Sequence, residues 1–164
     1  MSGRRLFLDA DGVLADFDAG VQDLLGMSAA EFEARYGRGA FWKRLAQADN
    51  FYGRLPEMAD ARTLFEAVKH LEPTILTGLP LGAWAAPQKI AWAADHFPGV
   101  PITTCMARDK HKHMHPGDVL VDDRETHRLQ YEGAGIIFVH HKNAAQSIRE
   151  LANIFPTVRT SARP

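Results

Sequence analysis

The chain has 164 residues, 46% of them hydrophobic and 24% charged, with a formal net charge of -1 at pH 7. That length fits one domain, or one domain with an inserted lid, and the near-neutral balance gives no electrostatic case for a nucleic-acid polymer or an anionic membrane as partner. The lone cysteine, Cys105, rules out an internal disulfide and suits a reducing, cytoplasmic setting.

RLFLD, residues 5–9, reads as a short buried strand closed by a polar turn. Its apolar run is shorter than the roughly 7–15 residues of an export signal, and no stretch approaches the roughly 20 of a membrane helix. A long helical region follows, in which Ser28-Ala-Ala-Glu31 has the capping-box pattern and Gly37, Gly39 and Gly53 punctuate. Residues 59–71 place Leu64, Val68 and Leu71 on one face of an amphipathic helix. PTILTGLP contains a second strand ending at Thr77. Pro87 is expected to open the next helix, which runs to about His96 and is stopped by Phe97-Pro98-Gly99. ITTC (102–105), DVLVD (118–122) and GIIFV (135–139) read as three more strands, with helical patterns over 125–132 and 143–154. The tail VRTSARP is expected to fray.

Five short apolar runs alternating with helices imply an α/β fold: a Rossmann-like parallel five-stranded sheet with helices on both faces. A parallel crossover needs only about a dozen residues, yet residues 10–73 separate the first two strands. Phe17, Phe32, Tyr36, Phe41, Trp42, Phe51, Tyr52 and Phe65 all lie there. They either belong to extra helices padding the sheet or to a small helical cap over the strand ends. The expected division is an α/β core of residues 1–16 and 72–164, with 17–71 forming the cap and a connecting helix.

In open α/β sheets ligands sit at the carboxyl ends of the strands. Asp9 and Asp11 stand at one such end and Asp122 and Asp123 at another. If the two ends meet, like charges at 4 Å cost roughly 4 kcal/mol per pair at an effective dielectric of about 20, so the cluster needs a cation. A hard ion such as Mg2+, held through oxygens, fits. Thr77, with the backbone N–H groups of the Gly78 turn, is placed to hold a phosphate oxygen, and Lys110 or Lys112 to supply positive charge. Together these parts make a phosphoryl-transfer set.

LDADGVLADF, ILTGLP, Lys110 and VLVDDR resemble, in order, the four motifs of the haloacid dehalogenase superfamily. DADGVLADF, AFW (40–42), ARDK and VDDR are similar, more narrowly, to the 5′(3′)-deoxyribonucleotidase family. The resemblance implies a Mg2+-dependent phosphomonoesterase. Asp9 would be the nucleophile, forming an aspartyl-phosphate, and Asp11 the acid and base. The metal would be held by Asp9, the carbonyl of Asp11, and the motif-four aspartates, with Asp123 in direct contact and Asp122 through water. The spacing before Pro116-Gly117-Asp118 resembles a family pattern that favours Lys110, with Lys112 as the alternative. Phe17, Phe41 and Trp42 match positions that pack a nucleobase, although Phe17 and Trp42 would serve equally as core joining cap and sheet. Arg124 would contact phosphate or sugar, or else form a surface ion pair, and Gly78 stands where the family often has serine. The implied substrate is a small phosphorylated metabolite, a nucleoside monophosphate first, and the resemblance suggests a homodimer.

Three alternatives remain in view. One is a phosphatase of another metabolite such as a sugar phosphate. Another is a dehalogenase or a phosphonate-cleaving relative, for which Lys43 is the lysine available in the cap. The last is a non-catalytic binding protein. Alternating His111, His113 and His115 would share one side of an extended loop, but no Cys or Glu spacing completes a zinc site.

Overall fold

The computed structural model describes residues 3–160. Its five strands are β1 (Leu6–Leu8), β2 (Thr74–Gly78), β3 (Ile102–Cys105), β4 (Val119–Asp122) and β5 (Ile137–His140). They form a single parallel sheet in the order β3-β2-β1-β4-β5. The helices are α1 (Phe17–Leu25), α2 (Ala29–Tyr36), α3 (Arg38–Gln47), α4 (Ala61–Val68), α5 (Ala85–His96), α6 (Arg128–Gly133) and α7 (Ala144–Ile154). Short 3₁₀ segments add Tyr52–Arg54, Lys69–Leu71 and Ala107–His113. No helix of the described residues is long and apolar enough to cross a membrane.

The strands are short and apolar because both faces are covered, and successive side chains go to opposite sides. Leu6, Leu8, Ile75, Val119, Val121 and Val139 enter the larger core, shared with Leu64 and Val68 of α4, Trp92 of α5 and Leu151 of α7. Phe7, Leu76, Leu120 and Phe138 face the other way, onto Tyr131 of α6 and Met114 after the 3₁₀ segment. This alternation decides where the polar strand-end residues point.

Several local expectations shift. Helix α5 begins at Ala85, so Pro87 is its third residue rather than its first. The missing N–H still costs nothing there, because the first-turn donors have no intrahelical acceptor. The 59–71 pattern divides into α4 and a 3₁₀ turn. Ser28 caps α2 by accepting from Glu31 N at 3.1 Å, while Glu31 Oε1 accepts from the Ser28 hydroxyl instead of the backbone. His111 and His113 lie in the 3₁₀ segment, not in an extended loop, so the three alternating histidines do not line one side. Of the tail expected to fray, residues 161–164 lie outside the described residues; Val158 is buried in the larger core.

The interval between β1 and β2 holds α1 to α4. Phe17 makes ring contacts with Phe41, Trp42, Phe51 and Tyr52 at centroid distances of 5.6–6.4 Å, a cluster built from α1, α3 and the 3₁₀ turn. Helix α5 fastens to the same segment: Gln88 Oε1 accepts from Tyr52 N at 3.0 Å, and Trp92 Nε1 donates to Leu55 O at 2.8 Å.

Candidate active site

The parallel register pairs Leu8 of β1 with Val121 of β4. The next residues, Asp9 and Asp122, therefore stand side by side at the carboxyl edge, both on the Phe7/Leu120 side by strand alternation. The Ala107–His113 segment covers that side and delivers Lys110. Its Nζ donates to Asp9 Oδ1 at 2.9 Å and to Asp122 Oδ2 at 3.0 Å. All three side chains are buried. Lys112 is 66% exposed and pairs with Asp109, so the fold brings Lys110, not Lys112, to Asp9.

Strand β4 ends at Asp122, which frees Asp123 to turn back into the site. Carboxylate oxygens of Asp9, Asp122 and Asp123 lie within 4.8 Å of one another. His140 at the end of β5 steadies the turn, its Nε2 lying 3.0 Å from Asp123 O. Gly12 makes the approach possible: at φ +83° it has the backbone glycine favours, and a Cβ there would stand 2.0 Å from Asp123 Oδ2.

Burial pushes the Asp9 carboxyl well above the usual carboxylate range, with Asp122, Asp11 and Asp123 adding to the effect against Lys110. Burial, with Asp122 beside it, pushes Asp123 up to about 6. Burial also opposes the Asp122 charge, but Lys110 and the Arg124 N–H outweigh it and hold that carboxyl low. For Lys110, burial is likewise outweighed by Asp9 and Asp122, which keep it protonated. One ammonium thus faces three carboxylates, a donor set that is all oxygen and short of positive charge. It fits a hard divalent cation such as Mg2+.

Above the cluster opens a cavity of about 1480 Å3. Asp11 and Gly78 reach it, with Phe17, Trp42, Tyr52 and Trp84 on an aromatic wall. Arg124 and the exposed Lys43 also line it. Phe41 does not: it is 1% exposed, packed against Phe17 and Trp42, and supports the wall from behind. Thr77 also differs from expectation. It is fully buried and does not line the cavity, because strand alternation turns it toward the Ile75 face, where α5 lies. Its Oγ1 accepts from Lys89 Nζ at 2.8 Å. Gly78 packs closely on Ala107, with an added Cβ 3.1 Å from the alanine Cβ, so a serine would crowd this turn.

Sequence reading missed Lys89, Trp84 and His140. Lys89 carried a usable signal: it shares the α5 face of Ala85, Trp92 and Ala93, all buried, and a lysine on an apolar face needs a partner.

A model of the family described as "5' nucleotidase, deoxy (Pyrimidine), cytosolic type C protein" (NT5C) matches residues 35–153. The matched range starts after Asp9 and Asp11, so the placement of those two rests on geometry. No curated protein matches. Among solved structures, L-2-haloacid dehalogenase from Xanthobacter autotrophicus is similar at 14% identity, with 94% of this chain and 85% of that one covered and a TM-score of 0.57. A hydrolase from Streptococcus pneumoniae TIGR4 is similar at 11% identity, covering 94% of this chain and 98% of its own, with a TM-score of 0.51. A HAD-superfamily hydrolase of subfamily IA from Geobacter sulfurreducens PCA is similar at 16% identity, covering 87% and 91%, with a TM-score of 0.51. At these identities the likeness concerns the fold: a parallel α/β sheet with helical insertions. The family match over most of the chain carries the rest, and the chain belongs to the deoxy (pyrimidine), cytosolic type C 5′ nucleotidase family, a phosphatase on the haloacid dehalogenase fold.

Proposed function

We propose that the chain is a cytoplasmic phosphomonoesterase of nucleoside monophosphates, deoxyribonucleotides first, working through a phosphorylated Asp9. The observation that carries this reading is the trio of buried Asp9 and Asp122 and half-buried Asp123, with oxygens within 4.8 Å, joined to Lys110 beneath a cavity with one aromatic wall. Family membership supports the nucleotide assignment. Residues 17–71 serve as cap and connecting helix to a core of 1–16 and 72–164.

Asp9, Asp122, Asp123 and the Asp11 carbonyl would hold Mg2+, which when bound supplies positive charge for the phosphate oxygens. Lys110 holds Asp9 and Asp122 in place and shares that electrostatic role. Free Asp9 Oδ attacks phosphorus; the ester P–O bond breaks and its electron pair leaves with the nucleoside oxygen. That oxygen takes the proton of Asp11, which lines the cavity. Water then attacks the aspartyl-phosphate and gives its proton to Asp11. Inorganic phosphate departs and Asp9 is restored. Trp42 and Phe17 face the base, where stacking on one ring contributes about 1–3 kcal/mol. The buried Phe41 is outside this contact.

The test is a phosphatase screen with Mg2+ over nucleoside monophosphates, sugar phosphates and phosphorylated amino acids. Hydrolysis of nucleoside monophosphates is expected, with Asp9→Asn folded and without turnover. Activity on sugar phosphates alone would replace the nucleotide assignment, and wild-type-like turnover by Asp9→Asn would remove the nucleophile assignment.

A further inference from the structure

Lys89 is 3% exposed, yet no motif of the phosphoryl-transfer set accounts for it. From α5 its ammonium donates to Asp11 Oδ2 at 2.9 Å, Thr77 Oγ1 at 2.8 Å and the Gly78 carbonyl at 2.8 Å. Three acceptors use all three of its N–H groups. The Tyr52 ring covers the same ammonium at 4.4 Å and itself stacks on Trp84, 5.4 Å between centroids. The contact therefore ties together the β1 turn, the end of β2, α5 and the aromatic wall.

The chemistry of this arrangement is specific. Asp11 is 28% exposed at its side chain and lines the cavity, and among the described residues Lys89 alone hydrogen-bonds its carboxylate. Lys89 fixes one of its two oxygens. Oδ1 accepts no hydrogen bond from the described residues and stays available to a leaving oxygen or a water. A point charge on a flexible stem would be a poor orienting group in water. Here its position is over-determined by two neutral oxygens, Thr77 Oγ1 and Gly78 O, that hold it whether or not Asp11 is charged.

We propose that Lys89 is the positioning residue for Asp11: it pins Oδ2 against the end of β2 so that Oδ1 meets the leaving oxygen, and it assigns to Thr77 the task of holding Lys89. This inference rests on Asp11 acting as acid and base in the proposed hydrolysis. It also explains why Thr77 is turned away from the cavity.

The experiment compares Lys89→Met with wild type on two esters, a deoxyribonucleoside monophosphate and 4-nitrophenyl phosphate. The first leaves as an alkoxide and needs a proton; the second leaves as a stable phenolate and does not. A misplaced acid should lower kcat/KM for the nucleotide, which reports departure of the leaving oxygen, by about 10²-fold, with a much smaller loss of kcat/KM on the aryl ester. The kcat alone includes the water attack that Asp11 serves for both esters and is not the discriminating quantity. The same substitution made in Asp11→Asn should cost nothing further. A crystal structure of Lys89→Met should show the Asp11 side chain away from the end of β2. Equal losses of kcat/KM on both esters, or additive losses with Asp11→Asn, would overturn the proposal in favour of a packing role. If Lys89→Met does not fold, Lys89→Arg takes its place. It keeps the cation but not one nitrogen bonded to three oxygens, and the same bias against the nucleotide is required. A wild-type protein inactive on both esters sinks the proposed function instead. The Asp11 rotamer in the variant crystal then decides the positioning claim alone: an unmoved Asp11 ends it.

Discussion

Gly12 shows how one residue sets the distance between two motifs. Its φ of +83° lets the chain leave β1 at once, and the absence of a Cβ leaves room for Asp123 Oδ2, 2.0 Å from where that carbon would sit. Gly12→Ala therefore acts twice. Left-handed backbone strain costs about 1–3 kcal/mol, and the Asp123 carboxylate must move out of the cluster it forms with Asp9 and Asp122. Lowered stability is expected in chemical denaturation, and calorimetric titration should show Mg2+ affinity falling about 10–100-fold, as for other residues that orient a metal ligand. Unchanged Mg2+ binding in a destabilised variant would mean that Asp123 is not a ligand.

Between elements, the join of β1 and β4 is made at both ends. At the carboxyl end it is Lys110. At the opposite end Asp118 accepts from Arg5 N at 3.2 Å, from Arg5 Nη2 at 2.6 Å and from His115 N at 2.7 Å. Burial opposes the Asp118 charge, but Arg5 and the two backbone N–H groups hold its carboxyl below the usual range. A carboxyl lowered by folding contributes stability above its unfolded value, near 3.9, and loses it as pH falls through the lower folded value. Asp118→Ala should cost about 1–3 kcal/mol at neutral pH, and urea denaturation should show its gap from wild type closing below about pH 4. A gap independent of pH would mean that the charge of Asp118 contributes nothing. The strand runs on either side of this join were legible because period and composition are local: LFL and VLVD are buried on both faces and say so. The carboxylates at their ends were legible for the same reason. The destinations of Lys89, Thr77 and Phe41 were not, because each depends on which element packs against its face; for Lys89 the sequence signals only that a partner is needed. Thr77 follows the alternation of β2 down to α5, and Phe41 is closed off by Phe17 and Trp42.

For the molecule as a whole, the sheet order sets the charge balance of the site. Because β1 lies between β2 and β4, the cluster gathers Asp9 and Asp122 before any cation is supplied beyond Lys110. Folding raises Asp9 above its ordinary range and Asp123 to about 6. A carboxyl raised by folding favours the folded state below its unfolded value, near 3.9; that advantage is lost as pH rises through the folded value. Without metal, this site should therefore weaken the fold progressively from about pH 4 through the Asp123 value of about 6. Burial lowers the His141 value, which works in the opposite direction, since folded protein must then accept a buried charge as pH falls. The decisive quantity is thus the difference between melts with Mg2+ and with chelator at the same pH, in which His141 cancels. Mg2+ binds the deprotonated cluster, so the stabilisation, RT ln(1 + [Mg2+]/Kd), should be small on the acid side of the Asp123 value and grow on the alkaline side. Asp9→Asn should remove most of the dependence. An Mg2+ increment that is the same on both sides, or absent on both, would show that the three carboxylates do not share an ion, and the nucleophile would then lack the charge on which phosphate binding depends.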